Sequence, residues 1–158
     1  GTKEAVAIVP NVVKIIKEFQ AAGDTVIFTK DTHFENYMET QEGQNLPVEH
    51  CIKGTEGHEI CEEIKAAVDL DKCKVYEKLT FGSSELAQDL NHGIYDGAES
   101  ITLVGLCTDI CVISNAMLCK TFLTETPVSI VADCCAGVTP ESHENALKAM
   151  EMCQIKIV

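Results

Sequence analysis

The chain has 158 residues, 46% of them hydrophobic and 23% charged, and a formal net charge of −13. That is enough for one domain with a proper core and is an ordinary composition for a globular protein. No apolar run approaches a membrane span, and the negative charge disfavours nucleic acid and anionic lipid as partners, which leaves a small molecule.

The nine cysteines are odd in number and include no C-x-x-C pair, and no secretory signal precedes them. Reduced thiols in a cytoplasm are therefore expected rather than a disulfide framework.

Glu4 to Ala22 carries Ile8, Val9, Val12, Val13, Ile16 and Phe19 at helical spacing and stops at Gly23, which predicts an amphipathic helix. Thr25 to Thr29 reads as a short buried strand that delivers Lys30, Asp31, Thr32 and His33 at its C-terminal end. From Phe34 to Gly57 periodicity is lost, and Gly43, Pro47, Gly54 and Gly57 mark a long loop bearing Glu39, Glu42, His50 and Cys51. Long loops inside compact domains are usually functional.

Ile60, Cys61, Ile64 and Val68 predict a helix, Cys73 to Tyr76 a strand leading to Lys78, and Leu86 with Leu90 a brief helix capped near Ser84. The apolar run from Ile101 ends at Gly105, after which Cys107, Cys111, Ala116, Met117 and Cys119 fit a helix. Val128 to Ala132 reads as a strand, Glu141 to Met152 as a helix, and Ile155 to Val158 as a last strand. This alternation predicts an α/β fold, a doubly wound, Rossmann-like parallel sheet with helices on both faces, which binds ligands beyond the C-terminal strand ends. Asp31, His33, Lys78 and Cys111 all fall at such ends.

Cys111 is expected in the first turn of its helix, where free backbone N–H groups and the helix dipole favour a thiolate, and it is the candidate nucleophile. The competing reading is that a cysteine is more often core filler than catalyst. Asp31 and His33, two apart in an extended backbone, face the same way and make a candidate metal pair that His50 with Glu42 or Glu39 would complete. Such a set suits zinc, iron or manganese; the alternative is that Asp31 caps a turn and the histidines only hydrogen-bond. Lys78, beside Phe81, is either a desolvated amine near the thiol or a solvated surface group. His58, His92 and His143 read as surface residues, and Thr108 and Asp109 as partners for backbone donors around the turn before the helix.

The combination of D-T-H at 31 to 33, H-C-I-K-G-T-E-G at 50 to 57, K-L-T-F at 78 to 81 and V-G-L-C-T-D-I-C-V at 104 to 112 resembles the isochorismatase-like cysteine hydrolases, nicotinamidases in particular. The likeness runs over nearly the whole chain, through D-C-C-A and H-E-N-A-L near its end. It implies a single domain over residues 1–158 and hydrolysis of a small amide through a thioester, with nicotinamide giving nicotinate and ammonia as in NAD salvage. By the resemblance Cys111 matches the nucleophile and Lys78 its lysine. The N–H groups of Cys107 and Cys111 match the oxyanion hole, with a cis peptide between Leu106 and Cys107. Asp31, His33, Glu42 and His50 match the metal ligands, for zinc first and iron or manganese next, and a homo-oligomer is implied.

Two departures qualify the expectation. The triad aspartate of that family lies in a motif reading roughly hydrophobic-D-x-Q-x-D-F, on a first, central strand, and no aspartate here matches it. The chain opens at Gly1 rather than at methionine, so an N-terminally truncated domain lacking that strand is expected. Nicotinamidases also stack the substrate ring on aromatics, often a tryptophan. Tryptophan is absent here, and Phe34, Tyr37 and Phe81 are the substitutes. The alternatives to a metal-assisted amidohydrolase are a metal-independent isochorismatase-like hydrolase and a non-catalytic binding remnant lacking the triad aspartate.

Overall fold

The computed structural model describes residues 2–158, so Gly1, the first residue of the expected domain, lies outside the described residues. Helix α1 (Lys3–Ala7) is followed at once by α2 (Val9–Ala22). The single helix expected over Glu4 to Ala22 is broken at Ile8 because Pro10, in the first turn of α2, has no N–H to give to the preceding turn. Gly23, with φ +86°, closes α2 through its N–H to the last carbonyls.

The strands are β1 (Ile27–Asp31), β2 (Lys74–Lys78), β3 (Ile101–Leu106), β4 (Val128–Ala136) and β5 (Lys156–Ile157). Between them lie α3 (Gln41–Asn45), α4 (Glu62–Lys65), α5 (Ser84–Asn91), α6 (Ile113–Phe122) and α7 (Pro140–Met152). β1 begins and ends two residues later than its apolar run suggests. Its ladder with β2 continues through Lys30 and Asp31, and the backbone bonds outweigh the polarity of those side chains. The helix expected from Ile60 to Val68 shrinks to four residues, and Ser83, not Ser84, caps α5 by accepting from the Leu86 N–H.

All pairings are parallel, as expected for this α/β fold, and in a chain expected to lack the central strand they form two sheets, β1-β2 and β3-β4-β5. Among the described residues no strand joins them. β1 and β3, each an edge, are half-buried, whereas β4 buries Val128 and Ile130.

The sheets nonetheless share two helical layers. Ile27 and Leu103 pack with Leu86, Leu90, Ala116, Leu147 and Met150 of α5, α6 and α7. Phe28 and Val104 pack with Ile8, Val12, Ile16 and Ile64 on the other side, where α2 and α4 lie. Alternate residues of each strand thus feed opposite layers, as the period of a strand dictates. Among the described residues no helix is long and apolar enough to cross a membrane.

Ile130, fully buried in the middle strand of the three-stranded sheet, anchors the larger layer. Ile130→Ala is expected to cost about 2–5 kcal/mol, measured as a lower urea midpoint at unchanged m-value.

Candidate active site

Asp31 and Lys78 end β1 and β2 as register partners, so their side chains leave neighbouring backbones on the same face. The Lys78 ammonium, on a residue only 4% exposed, donates to Asp31 Oδ1 at 3.0 Å, to the Thr80 carbonyl at 3.1 Å and to Cys111 Sγ at 3.3 Å. Burial works against its charge, but Cys111 and Asp31 outweigh burial and hold its pKa above the usual lysine value. The solvated-surface reading of Lys78 is therefore set aside.

Cys111 reaches this point from the other sheet. Near the end of β3 Gly105 has a φ of +118°, which suits glycine, and the Leu106–Cys107 peptide that follows the strand is cis. Thr108–Val112 then form a π-helical turn ahead of α6, so Cys111 stands in that turn and not in the first turn of an α-helix as its spacing suggests. The Cys107 carbonyl accepts from both Ile110 and Val112 N–H, drawing the turn tight.

Asn115, buried in α6, donates to the carbonyls of Cys111 at 2.8 Å and Phe81 at 3.2 Å and accepts from Ser83 N–H at 2.9 Å. It ties the Cys111 turn to the segment after Lys78. Sequence reasoning passed it over, and a lone polar residue on the apolar stripe of α6 was the available signal.

Thr108 bonds His143 rather than a donor of its own turn, and Asp109 accepts from the distant Val138 N–H. His143 is therefore no free surface residue. His58 is buried, with Nε2 2.9 Å from Thr32 Oγ1. The Thr32 N–H in turn donates to the Lys78 carbonyl, so this pair braces the strand end between Asp31 and His33. His92 is exposed as expected.

The loop after β1 folds back to complete a cluster. The ligand-type atoms of Asp31, His33, Glu42 and His50 lie within 4.8 Å of one another. His33 Nε2 stands 3.3 Å from Asp31 Oδ2 and 3.6 Å from Glu42 Oε1, and His50 Nε2 is 3.5 and 3.7 Å from the same two atoms. His50 Nδ1 donates to the Val48 carbonyl at 2.8 Å, leaving a lone pair on Nε2 facing the carboxylates. His33 Nε2 is buried with no hydrogen-bond partner. An orphaned buried nitrogen, a second imidazole of fixed tautomer and two carboxylates make a donor set that fits a zinc-like cation. Of the two glutamates considered from the sequence, Glu42 joins the cluster and Glu39 is exposed.

The three aromatic candidates divide. Tyr37 is fully buried, its hydroxyl donates to the Leu46 carbonyl, and its ring packs 4.7 Å from that of His33 and 5.1 Å from that of His50. It props the cluster from behind and offers no face to a ligand, which corrects its expected substrate-binding role. Phe34 and Phe81 are 52% and 46% exposed.

The isochorismatase domain family model matches residues 1–158, and the chain belongs to that family. A pyrazinamidase of Pyrococcus horikoshii in complex with zinc is 26% identical, with a TM-score of 0.82 over 99% of this chain and 87% of that one. A nicotinamidase/pyrazinamidase of Bacillus subtilis is 25% identical, with a TM-score of 0.81 over 99% and 86%. An N-carbamoylsarcosine amidase of Thermoplasma acidophilum, at 21% identity and a TM-score of 0.75 over 99% and 84%, shares the fold. No curated protein sequence matches.

Two measurements follow from the electrostatics. Burial, and after it Asp31, raise the Cys51 pKa, while burial, and after it Cys111, push Cys107 up to about 11. With Lys78 donating to Cys111 alone of the three, iodoacetamide at pH 7.5 is expected to modify Cys111 before Cys51 or Cys107, as read by peptide mass mapping.

Burial, and after it Lys30, hold His58 below its ordinary value of 6.5. The unfolded chain therefore takes up this proton first, and stability is lost as pH falls from about 6.5. Melting temperature is expected to drop further between pH 7.5 and 5.5 in the wild type than in His58→Gln.

Proposed function

We propose that the protein is a metal-assisted amidohydrolase that cleaves a small primary amide, nicotinamide foremost, through a thioester on Cys111. The observation that carries this reading is the unbroken contact from Cys111 Sγ through Lys78 to Asp31, whose second oxygen faces the four-residue cluster. A thiol, a buried cation and a carboxylate in series form the activated-nucleophile pattern. The zinc-bound pyrazinamidase and the nicotinamidase/pyrazinamidase, both at 25% identity or more, support the amide class.

In this mechanism Asp31, His33, Glu42 and His50 hold the divalent cation, zinc before iron or manganese. When bound, the cation supplies a Lewis-acid contact that fixes a ring nitrogen of the substrate and so orients its amide. Phe34 and Phe81 flank the ring.

Cys111 Sγ attacks the carbonyl carbon, and the N–H groups of Cys107 and Cys111 receive the oxygen as its charge develops. The C–N bond breaks, and ammonia leaves with the proton given up by the thiol, which Lys78 passes to the leaving nitrogen. Water then cleaves the C–S bond, releasing the carboxylic acid and restoring the thiol.

Zinc-loaded protein is expected to release ammonia from nicotinamide, and Cys111→Ala to lower kcat at least about 10³-fold. Protein that binds zinc yet releases no ammonia from any primary amide would overturn the reading. Undiminished turnover by His33→Ala would instead favour the metal-independent chemistry.

A further inference from the structure

We infer that His143 is a positioning residue of the oxyanion turn, acting through Thr108. The inference rests on the reading of Cys107 and Cys111 as the oxyanion hole. Thr108 lies between those two residues in sequence and is fully buried, and its Oγ1 is hydrogen-bonded to His143 Nδ1 at 2.7 Å. At that distance the bond is a strong one, anchored on a fully buried hydroxyl, and it fixes one side of the turn.

The far end of this bond is itself rigid. α7 starts at a reciprocal cap, in which Thr139 Oγ1 accepts from Ser142 N–H and Ser142 Oγ from Thr139 N–H, each at 3.0 Å, so the helix has a defined first turn beneath His143. The loop from β4 lies flush on it. A Cβ on Gly137 would stand 2.9 Å from both the N and the Cβ of His143, a space that only glycine leaves open. The same loop meets the turn a second time, where Asp109 Oδ1 accepts from Val138 N–H at 3.1 Å.

The opposite end of the turn is held differently, by Asn115 on the Cys111 carbonyl. The turn is thus pinned to α7 at Thr108 and to α6 at Cys111, and the two pins set the separation of the N–H groups between them. Donors to a developing oxyanion lose effect when displaced, because their value depends on being aimed before the reaction begins. Lys78 reaches Cys111 from β2 and touches neither α7 nor Thr108 through any of its hydrogen bonds. Loosening the His143 pin should therefore spoil oxyanion stabilisation while sparing the thiol.

The test uses the zinc-loaded chain with nicotinamide as substrate and iodoacetamide as a separate probe of Cys111. His143→Ala and Thr108→Val are each expected to lower kcat about 10- to 100-fold, below the full loss of an oxyanion donor. KM and the Cys111 alkylation rate should stay within about two-fold of wild type. His143→Asn, whose amide places a hydrogen-bonding atom near the Nδ1 position, is expected to restore kcat to within about five-fold.

The His143→Ala/Thr108→Val double variant should be no worse than either single one, since both remove one bond. Gly137→Ala, which pushes the loop off His143 without removing either partner, should show the same kcat-only loss. The inference is overturned if His143→Ala keeps wild-type kcat, if the two single losses multiply in the double variant, or if KM rises and alkylation slows as kcat falls, which is the mark of a merely structural role. Wild-type protein without turnover would overturn the oxyanion reading and this inference with it, whereas active wild type beside an unaffected variant overturns this inference alone.

Discussion

A buried ammonium persists only where its charge is answered, and Lys78 meets that demand with a carboxylate, a carbonyl and a thiol sulfur. Remove any one and the remainder must bear the cost of desolvation. This requirement explains why β1 runs on through Lys30 and Asp31 after its apolar residues end. Only that extension brings Asp31 opposite Lys78 in the ladder. It also explains why Cys111 is drawn across from the other sheet. The contact is the one hydrogen bond of the Lys78 side chain that links the β1-β2 sheet to the turn following β3.

Asp31 is shared. One oxygen answers Lys78 and the other faces the two imidazoles, so a single carboxylate belongs to both halves of the site. The cluster and the nucleophile therefore cannot be tuned independently: whatever draws charge from Asp31 on one side changes what it offers on the other. The remaining cluster residues are braced from outside, with Tyr37 behind the rings of His33 and His50 and the Thr32–His58 bond beneath the strand end. None of these supports carries chemistry, and all of them restrict where the chemistry-bearing atoms can go.

Much of this was legible in the sequence, for a physical reason. Periods of two and 3.6 identify strands and helices, and polar residues placed directly after apolar strands identify the functional edge. Asp31, His33, Lys78 and Cys111 stood out in this way, and the motif around them identified the family. What escaped was long-range or locally irregular. The break at Ile8 depends on the missing N–H of Pro10, which a hydrophobic count ignores. The π-helical turn at Thr108–Val112 has the same apolar pattern as an α-helix. His58 and His143 lie among polar neighbours in the chain, yet their partners Thr32 and Thr108 are 26 and 35 residues away. Tyr37 was misread because an aromatic beside a metal pair can face a ligand or back the ligands, and sequence does not say which.

Asp31, His33 and Lys78 ride on one sheet and the Cys111 turn on the other, with no backbone ladder between them among the described residues. Their relative placement is carried by side chains: Ile27 and Leu103 in one helical layer, Phe28 and Val104 in the other. Ladder hydrogen bonds fix neighbouring strands to a fraction of an ångström, whereas apolar contacts are non-directional and tolerate sliding. Directional bonds also cross from one half to the other near the site. They are Lys78 to Cys111, and Asn115 to the Phe81 carbonyl and the Ser83 N–H. The Lys78–Cys111 contact of the candidate site is thus also one of the bonds between its two halves, and Asn115 supplies the others.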